Sequence, residues 1–200
     1  MNKYSLEWQI EKVRKQFDKF KIESVEKTDS MMLIKARVHC PVYFAFYTNY
    51  IVCSGDYGEW QFWTTWNTLV NGKPQISLNF HYLLGKLSQD CKKHIWDSEY
   101  CYDKLKEWKE EFIEEYKDDN DDIDEDFLEE FEEAFDNVDC GDKFSYITSL
   151  RELCDFLEDN GFSDTFEYSF WDFGKLLNWQ LVCQLVMFEK INEYFKEEKK

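Results

Sequence analysis

The densest group of chemically competent side chains lies between positions 110 and 136, where 16 Asp and Glu stand against one cation, Lys117. Phe112, Ile113, Tyr116, Phe127, Leu128, Phe131, Ala134 and Phe135 recur through the same stretch at steps of three and four. That spacing places the carboxylates on the outer side of amphipathic helices. Rows of carboxylates on a rigid helix offer an anionic strip that can replace a phosphate backbone in a Lys/Arg groove. The residues assigned to such a partner-binding strip are Asp118, Asp119, Asp121, Asp122, Asp124, Glu125, Asp126, Glu129, Glu130, Glu132 and Glu133. The same run also serves as an ordinary solvated helix surface.

A second chemistry is cation binding. Asp118, Asn120, Asp122, Asp124, Asp126 and Glu129 fall at positions 1, 3, 5, 7, 9 and 12 of a calcium loop of EF-hand type. Ile123 replaces the glycine that the sharp turn at position 6 requires, and Glu125 replaces the apolar residue at position 8. Loose cation binding is therefore expected, with no specific metal site. Cys91, His94 and Cys101 are zinc-type ligands that Cys140 or His81 could complete in space, but their spacing fits no standard zinc pattern. His39, His81 and His94 have no Ser or Cys partner in a recognised motif, and neither a phosphate-binding loop nor a dinucleotide fingerprint occurs. No catalytic residue, no cofactor and no enzymatic activity are expected.

These side chains must be positioned by a fold, and residues 43–64 look like its centre. Residues 43–47 alternate Tyr/Phe/Ala/Phe/Tyr, 50–54 run back after a Thr48-Asn49 turn, and a loop of Gly55, Asp56, Tyr57 and Gly58 leads into a third strand over 59–64. Its two glycines supply positive φ, and Asp56 suits an Asx-turn; it is also the one candidate general base in this region. Met32, Ile34, Ala36 and Val38 give a strand over 30–39. The antiparallel sheet is thus expected to have about four strands over 30–64. Helices are expected at 5–20, 78–87, from Asp97-Ser98 onward, through 127–135, at 146–157 and at 176–195, with a helical turn at 66–70. The 176–195 segment is apolar on nearly every side and reads as the buried helix on the sheet. The fold class is α+β, with five to six helices in one domain over 1–200, sheet-rich through 95 and acidic-helical from 96.

Composition agrees with an ordered chain: aromatics are 19% of 200 residues, with only 7 Gly and 2 Pro. The net charge of −18 is uneven. Residues 1–100 carry 13 Lys/Arg against 11 Asp/Glu, whereas residues 101–200 carry 11 against 31. Such a chain repels nucleic acid and anionic membrane and attracts basic surfaces, so direct nucleic-acid and membrane binding are not expected. Seven cysteines at irregular spacings argue against a disulfide framework, and a charged amphipathic start argues against a signal peptide; both imply a cytoplasmic setting.

From Gly55 onward the chain resembles a family of small phage and prophage proteins with no assigned activity. The residues carrying the likeness are Gly55-Asp56-Tyr57-Gly58-Glu59-Trp60-Gln61-Phe62, then Tyr82-Leu83-Leu84-Gly85-Lys86-Leu87, Trp96-Asp97-Ser98-Glu99-Tyr100-Cys101, and Trp171-Asp172-Phe173-Gly174. The resemblance implies a phage setting in a bacterial host and nothing about catalytic residues. Combined with the charge, it leads to an expectation of an anti-defence protein, similar to an anti-CRISPR inhibitor. Its partner would be a basic host protein, a nucleic-acid-binding nuclease. Two alternatives stand beside it: a small ligand-binding or enzymatic domain with a pocket at the 55–58 loop, and a structural or assembly module.

Overall fold

The computed structural model describes residues 4–77, 79–119, 124–162 and 170–197. The one domain expected over 1–200 divides into two compact units, Met1–Lys93 with Leu177–Lys200, and His94–Leu176. Together they give an α+β fold. The unit boundary sharpens the charge asymmetry: the first unit carries 17 Lys/Arg against 13 Asp/Glu, the second 7 against 29.

The first unit is built on a five-stranded antiparallel meander in sequence order: β1 (Lys21–Lys27), β2 (Met32–Arg37), β3 (Pro41–Phe46), β4 (Tyr50–Gly55) and β5 (Trp60–Trp63). Period-two alternation puts Met32, Ile34, Ala36, Val42, Phe44, Phe46, Ile51, Cys53, Trp60 and Phe62 on one buried face. The register keeps them there, with Ile34 opposite Phe44, Phe46 opposite Ile51 and Ile51 opposite Phe62. Helix α1 (Leu6–Arg14), capped by Ser5, and the C-terminal helix of the chain (Trp179–Glu197) pack on that face. In the C-terminal helix Leu181, Val182, Cys183, Gln184, Leu185, Val186, Met187 and Phe188 are all buried, as its all-round apolar character requires. Its Phe188 ring lies 5.9 Å from Phe44 and 5.4 Å from Phe62.

Several elements differ from expectation, beginning with the helix expected at 5–20, which ends at Arg14 and closes with a 3-10 turn over Lys15–Phe17. β1 is an additional edge strand whose residues are mostly exposed. A register shift between Ile22 and Ser24 puts Ile22 and Val25 opposite the core residues Ala36 and Ile34, three residues apart instead of two, so the alternation disappears from the sequence. The displaced Glu23 bonds Arg37 at 2.5 Å and pairs with Lys35 at 3.1 Å. The helical turn expected at 66–70 is instead a strand, β6 (Leu69–Val70), paired with β7 (Lys73–Pro74). Asn71 and Gly72, both with positive φ, make the turn that a two-residue hairpin favours. α2 is only Phe80–Leu84, between the Asn79 cap and Gly85. The backbone after it lies along β5: Trp63 N–H bonds Lys86 O at 2.7 Å and Ser88 N–H bonds Gln61 O at 2.8 Å.

In the second unit, β8 (His94–Trp96) pairs with β9 (Lys175–Leu177), and between them run α3 (Ser98–Asp119), α4 (Glu125–Asp136) and α5 (Lys143–Asp159). β9 occupies the start of the segment expected to be helical from 176. The C-terminal helix, α6, begins at Trp179, after Asn178 Oδ1 accepts Gln180 N–H at 3.0 Å. Because α6 belongs with the sheet, the sheet-rich unit takes in both ends of the chain.

Replacing Leu185, which is wholly buried, by Ala should cost about 2–5 kcal/mol in urea denaturation. Leu33→Ala, on the half-exposed outer face of β2, should cost clearly less.

Candidate interaction surface

The acidic helices are held by rings. On α3 the buried stripe is Cys101, Leu105 and Phe112, with Trp108 and Tyr116 half-buried beside it. On α4 it is Phe127, Phe131 and Phe135, four residues apart, and Asp124 Oδ1 caps the helix by accepting Phe127 N–H at 3.1 Å. The ring pairs Tyr116–Phe127 at 5.0 Å and Phe112–Phe131 at 4.8 Å run in opposite sequence directions, so the two helices are antiparallel. Phe127 also stacks on Phe156 of α5 at 5.8 Å, and Phe162 closes the end of the group against Phe112 at 5.4 Å.

With the rings inside, the carboxylates are outside. Glu110, Glu111, Glu114, Glu115 and Asp118 of α3, Asp124, and Glu125, Asp126, Glu129, Glu130, Glu132, Glu133 and Asp136 of α4 are all exposed. Seven carboxylates on a 12-residue helix about 18 Å long make one negative charge per roughly 2.6 Å of axis. Duplex DNA carries one per roughly 1.7 Å. Asp124, Glu125 and Asp126 suit the positive end of the α4 dipole, but Asp136 opposes it, and no basic residue occupies the last turn. The cation Lys109 reaches across from α3. Its Nζ lies 3.9 Å from both Glu132 and Asp136 and 4.5 Å above the Phe135 ring.

Of the eleven carboxylates assigned to the strip, eight are placed on this surface: Asp118, Asp124, Glu125, Asp126, Glu129, Glu130, Glu132 and Glu133. Asp119 lies in the last turn of α3; Asp121 and Asp122 fall outside the described residues, as do Asn120 and Ile123 of the calcium-type spacing. Within that spacing the Asp124 carboxylate is engaged as a helix cap, and Asp126 and Glu129 sit on α4 and not in a loop. Among the described residues no three His, Cys, Asp or Glu side chains gather where a metal could be held. The Cys91, His94 and Cys101 set does not assemble among the described residues, and His81 lies 3.3 Å from Glu7.

The 55–58 loop has a structural use that accounts for its residues. Gly58 N–H bonds Gly55 O at 2.9 Å, closing the turn through backbone. Gly55 has φ of 131°, and a Cβ there would sit 2.7 Å from Pro41 O. Gly58 has φ of 85°, and a Cβ would sit 2.8 Å from Trp60 Nε1. The Tyr57 carbonyl accepts Trp60 Nε1–H at 2.7 Å and Gln184 Nε2–H at 3.3 Å, while Gln180 Nε2–H reaches Asp56 O at 3.4 Å. The Tyr57 ring packs 5.5 Å from Phe17 and 6.2 Å from Trp179. The loop is therefore bonded down onto α6 by two glutamines one turn apart, the polar interruptions of an otherwise apolar run. Asp56 itself is exposed, and it pushes the Cys40 thiol above the ordinary range through a hydrogen bond. A cleft of about 600 Å³ beside the loop is lined by Gly58, Trp60, Cys91, Asn178 and Gln180 among others, without Asp56 or a histidine.

Matched against protein-family models, curated proteins and solved structures, the chain shows similarity to none. No helix among the described residues is long and apolar enough to cross a membrane.

Gly58→Ala combines positive φ with a close contact, so thermal or urea denaturation should show a loss of about 1–3 kcal/mol. Gly72→Ala should lose less, because its φ is also positive but nothing lies within 4 Å of the added Cβ.

Proposed function

We propose that the chain is a non-enzymatic inhibitor of a basic, nucleic-acid-binding host protein, in a phage anti-defence setting, and that the outer face of α3 and α4 is its contact surface. The observation that carries this reading is the exposure of every carboxylate over 110–136 whose side chain is described, beside a stripe of buried rings. Charge lies at a density approaching that of a nucleic acid, on rigid helices, with Lys109 drawn in among it. Acting together across a Lys/Arg groove, such carboxylates speed encounter and exclude the nucleic acid that the groove normally holds. An RNA-guided nuclease, whose heteroduplex lies in a positively charged channel, is the kind of partner this charge pattern suits.

The reading is tested by competition. With an RNA-guided nuclease and its labelled target DNA, the chain should displace DNA, and displacement should weaken steeply between roughly 50 and 200 mM salt. Simultaneous reversal of Glu129, Glu130, Glu132 and Glu133 to Lys should abolish displacement while circular dichroism remains that of the folded chain. Equal inhibition by wild type and the fourfold variant at both salt concentrations would reject this surface as the contact.

A further inference from the structure

The face of the five-stranded sheet that turns away from α1 and α6 carries a file of rings at one end. Tyr47 follows β3, Tyr50 opens β4 and Trp63 closes β5. Each neighbours a fully buried core residue, Phe46, Ile51 or Phe62, so alternation points all three outward. The antiparallel register sets Tyr50 directly opposite Trp63, and Tyr47 N–H bonds Tyr50 O at 3.0 Å. Tyr47 and Tyr50 stack at 4.2 Å with their planes 12° apart, and Trp63 continues the file 5.3 Å from Tyr50. None of the three rings belongs to either hydrophobic core, and Trp63 keeps 53% of its surface exposed.

The same face runs from the rings into a cleft. Two residues along from Tyr50 and Trp63, about 7 Å away, the next outward pair is Val52 and Gln61, and both line the cleft of about 600 Å³ beside the 55–58 loop. One wall, residues 88–92, is fixed at both ends: Ser88 N–H bonds Gln61 O at 2.8 Å, and Asn178 Nδ2–H bonds Lys92 O at 3.3 Å. Glu59, Gln61, Ser88 and Asp90 bring carboxylate, amide and hydroxyl groups to the lining. The Glu59 and Asp90 carboxylates and the Gln61 amide are exposed and bonded to no described residue.

We infer that the cleft and the ring file form a binding site for a neutral oligosaccharide, with one sugar ring stacked on the Trp63 indole and its neighbour's hydroxyls bonded in the cleft. The face of an aromatic ring is the negative part of its quadrupole, and it attracts the weakly positive C–H groups on one side of a pyranose. A sugar hydroxyl both donates and accepts. Carboxylates take its proton, and an amide can meet either end. Single-stranded nucleic acid also stacks on rows of rings, but it needs cations that track its phosphates. Here the cleft holds one ammonium, Lys92, against two carboxylates. The cations of the same sheet face are already engaged, because Lys35 and Arg37 both pair with Glu23. Lys86, beside β5, sets its ammonium over the Tyr82 ring at 5.0 Å. The site uses no residue of the acidic helices, so it stands or falls separately from the function proposed for them.

Isothermal titration of the full chain with cellohexaose, laminarihexaose, maltohexaose and N-acetylchitohexaose tests the assignment. At least one sugar should bind saturably, with an affinity indifferent to salt because the ligand carries no charge. Trp63→Ala should weaken that sugar about tenfold, and Gln61→Ala should weaken it as well. Tyr102→Ala, which removes a similarly exposed ring from the acidic unit, should leave binding unchanged. Absence of binding by all four sugars, or undiminished binding in both Trp63→Ala and Gln61→Ala, would overturn the site. So would saturable binding of oligothymidylate in place of the sugars, or a Trp63-dependent dimer in sedimentation, which would give the face to a second copy of the chain.

Discussion

Burial of aromatic rings between α3, α4 and α5 is the interaction that makes the acidic unit possible. Eight carboxylate pairs within α4 stand three or four residues apart, and repulsion at such spacings costs a few tenths of a kcal/mol each, roughly 2–4 kcal/mol together. Against this, burying Phe127, Phe131 and Phe135 is worth roughly 5–9 kcal/mol. The rings win, but by a margin the charges visibly erode. With Asp136 opposing the dipole and no cation in the last turn, α4 has little electrostatic support of its own. Its helical state depends on tertiary packing, as is general for helices of this length. Lys109 contributes by setting its ammonium over the Phe135 ring, within reach of two carboxylates.

The sheet-bearing unit follows the opposite arrangement. Its charges are nearly balanced, and specific ion pairs tie its elements: Arg14 bonds both carboxylate oxygens of Glu189, at 2.5 and 2.9 Å, and Glu23 bridges two residues of β2. Its least ordinary features, the two positive-φ glycines and the glutamine pair beneath them, secure a hairpin loop to the central helix. These residues are committed to the fold. Apart from Glu125 and Asp126 at the start of α4 and the few that face a lysine, the carboxylates of α3 and α4 are not, and a surface that opposes its own fold is the more natural place to look for a contact with something else.

How far the sequence reveals this depends on the element. The inward residues of β2 to β5 and the all-apolar α6 are legible because burial on one face, or on all, leaves an unmistakable period. β1 is not, because its bulge sets Ile22 and Val25 three residues apart and its partner Glu23 reads as a random surface charge. Trp66 and Leu69 suggest a helical turn through their spacing, while the Asn71-Gly72 hairpin signal beside them identifies β6 and β7. The acidic face was legible in full wherever the phenylalanine stripe continues. Lys109 was not, because its partners Glu132 and Asp136 come from the next helix. Gln180 and Gln184 could have been noticed: two polar residues one turn apart in an apolar helix require a polar partner.

The most direct measurement is the melting temperature after neutralising Glu129, Glu130 and Glu133 to Gln, which removes charge while keeping size and leaving the Lys109 contacts in place. If the carboxylates oppose the fold, the variant melts higher than wild type at low salt, and the difference shrinks as salt screens the repulsion. A variant that melts lower than wild type, or a difference indifferent to salt, would show that these carboxylates serve the fold and would contradict their assignment as a surface kept for a partner.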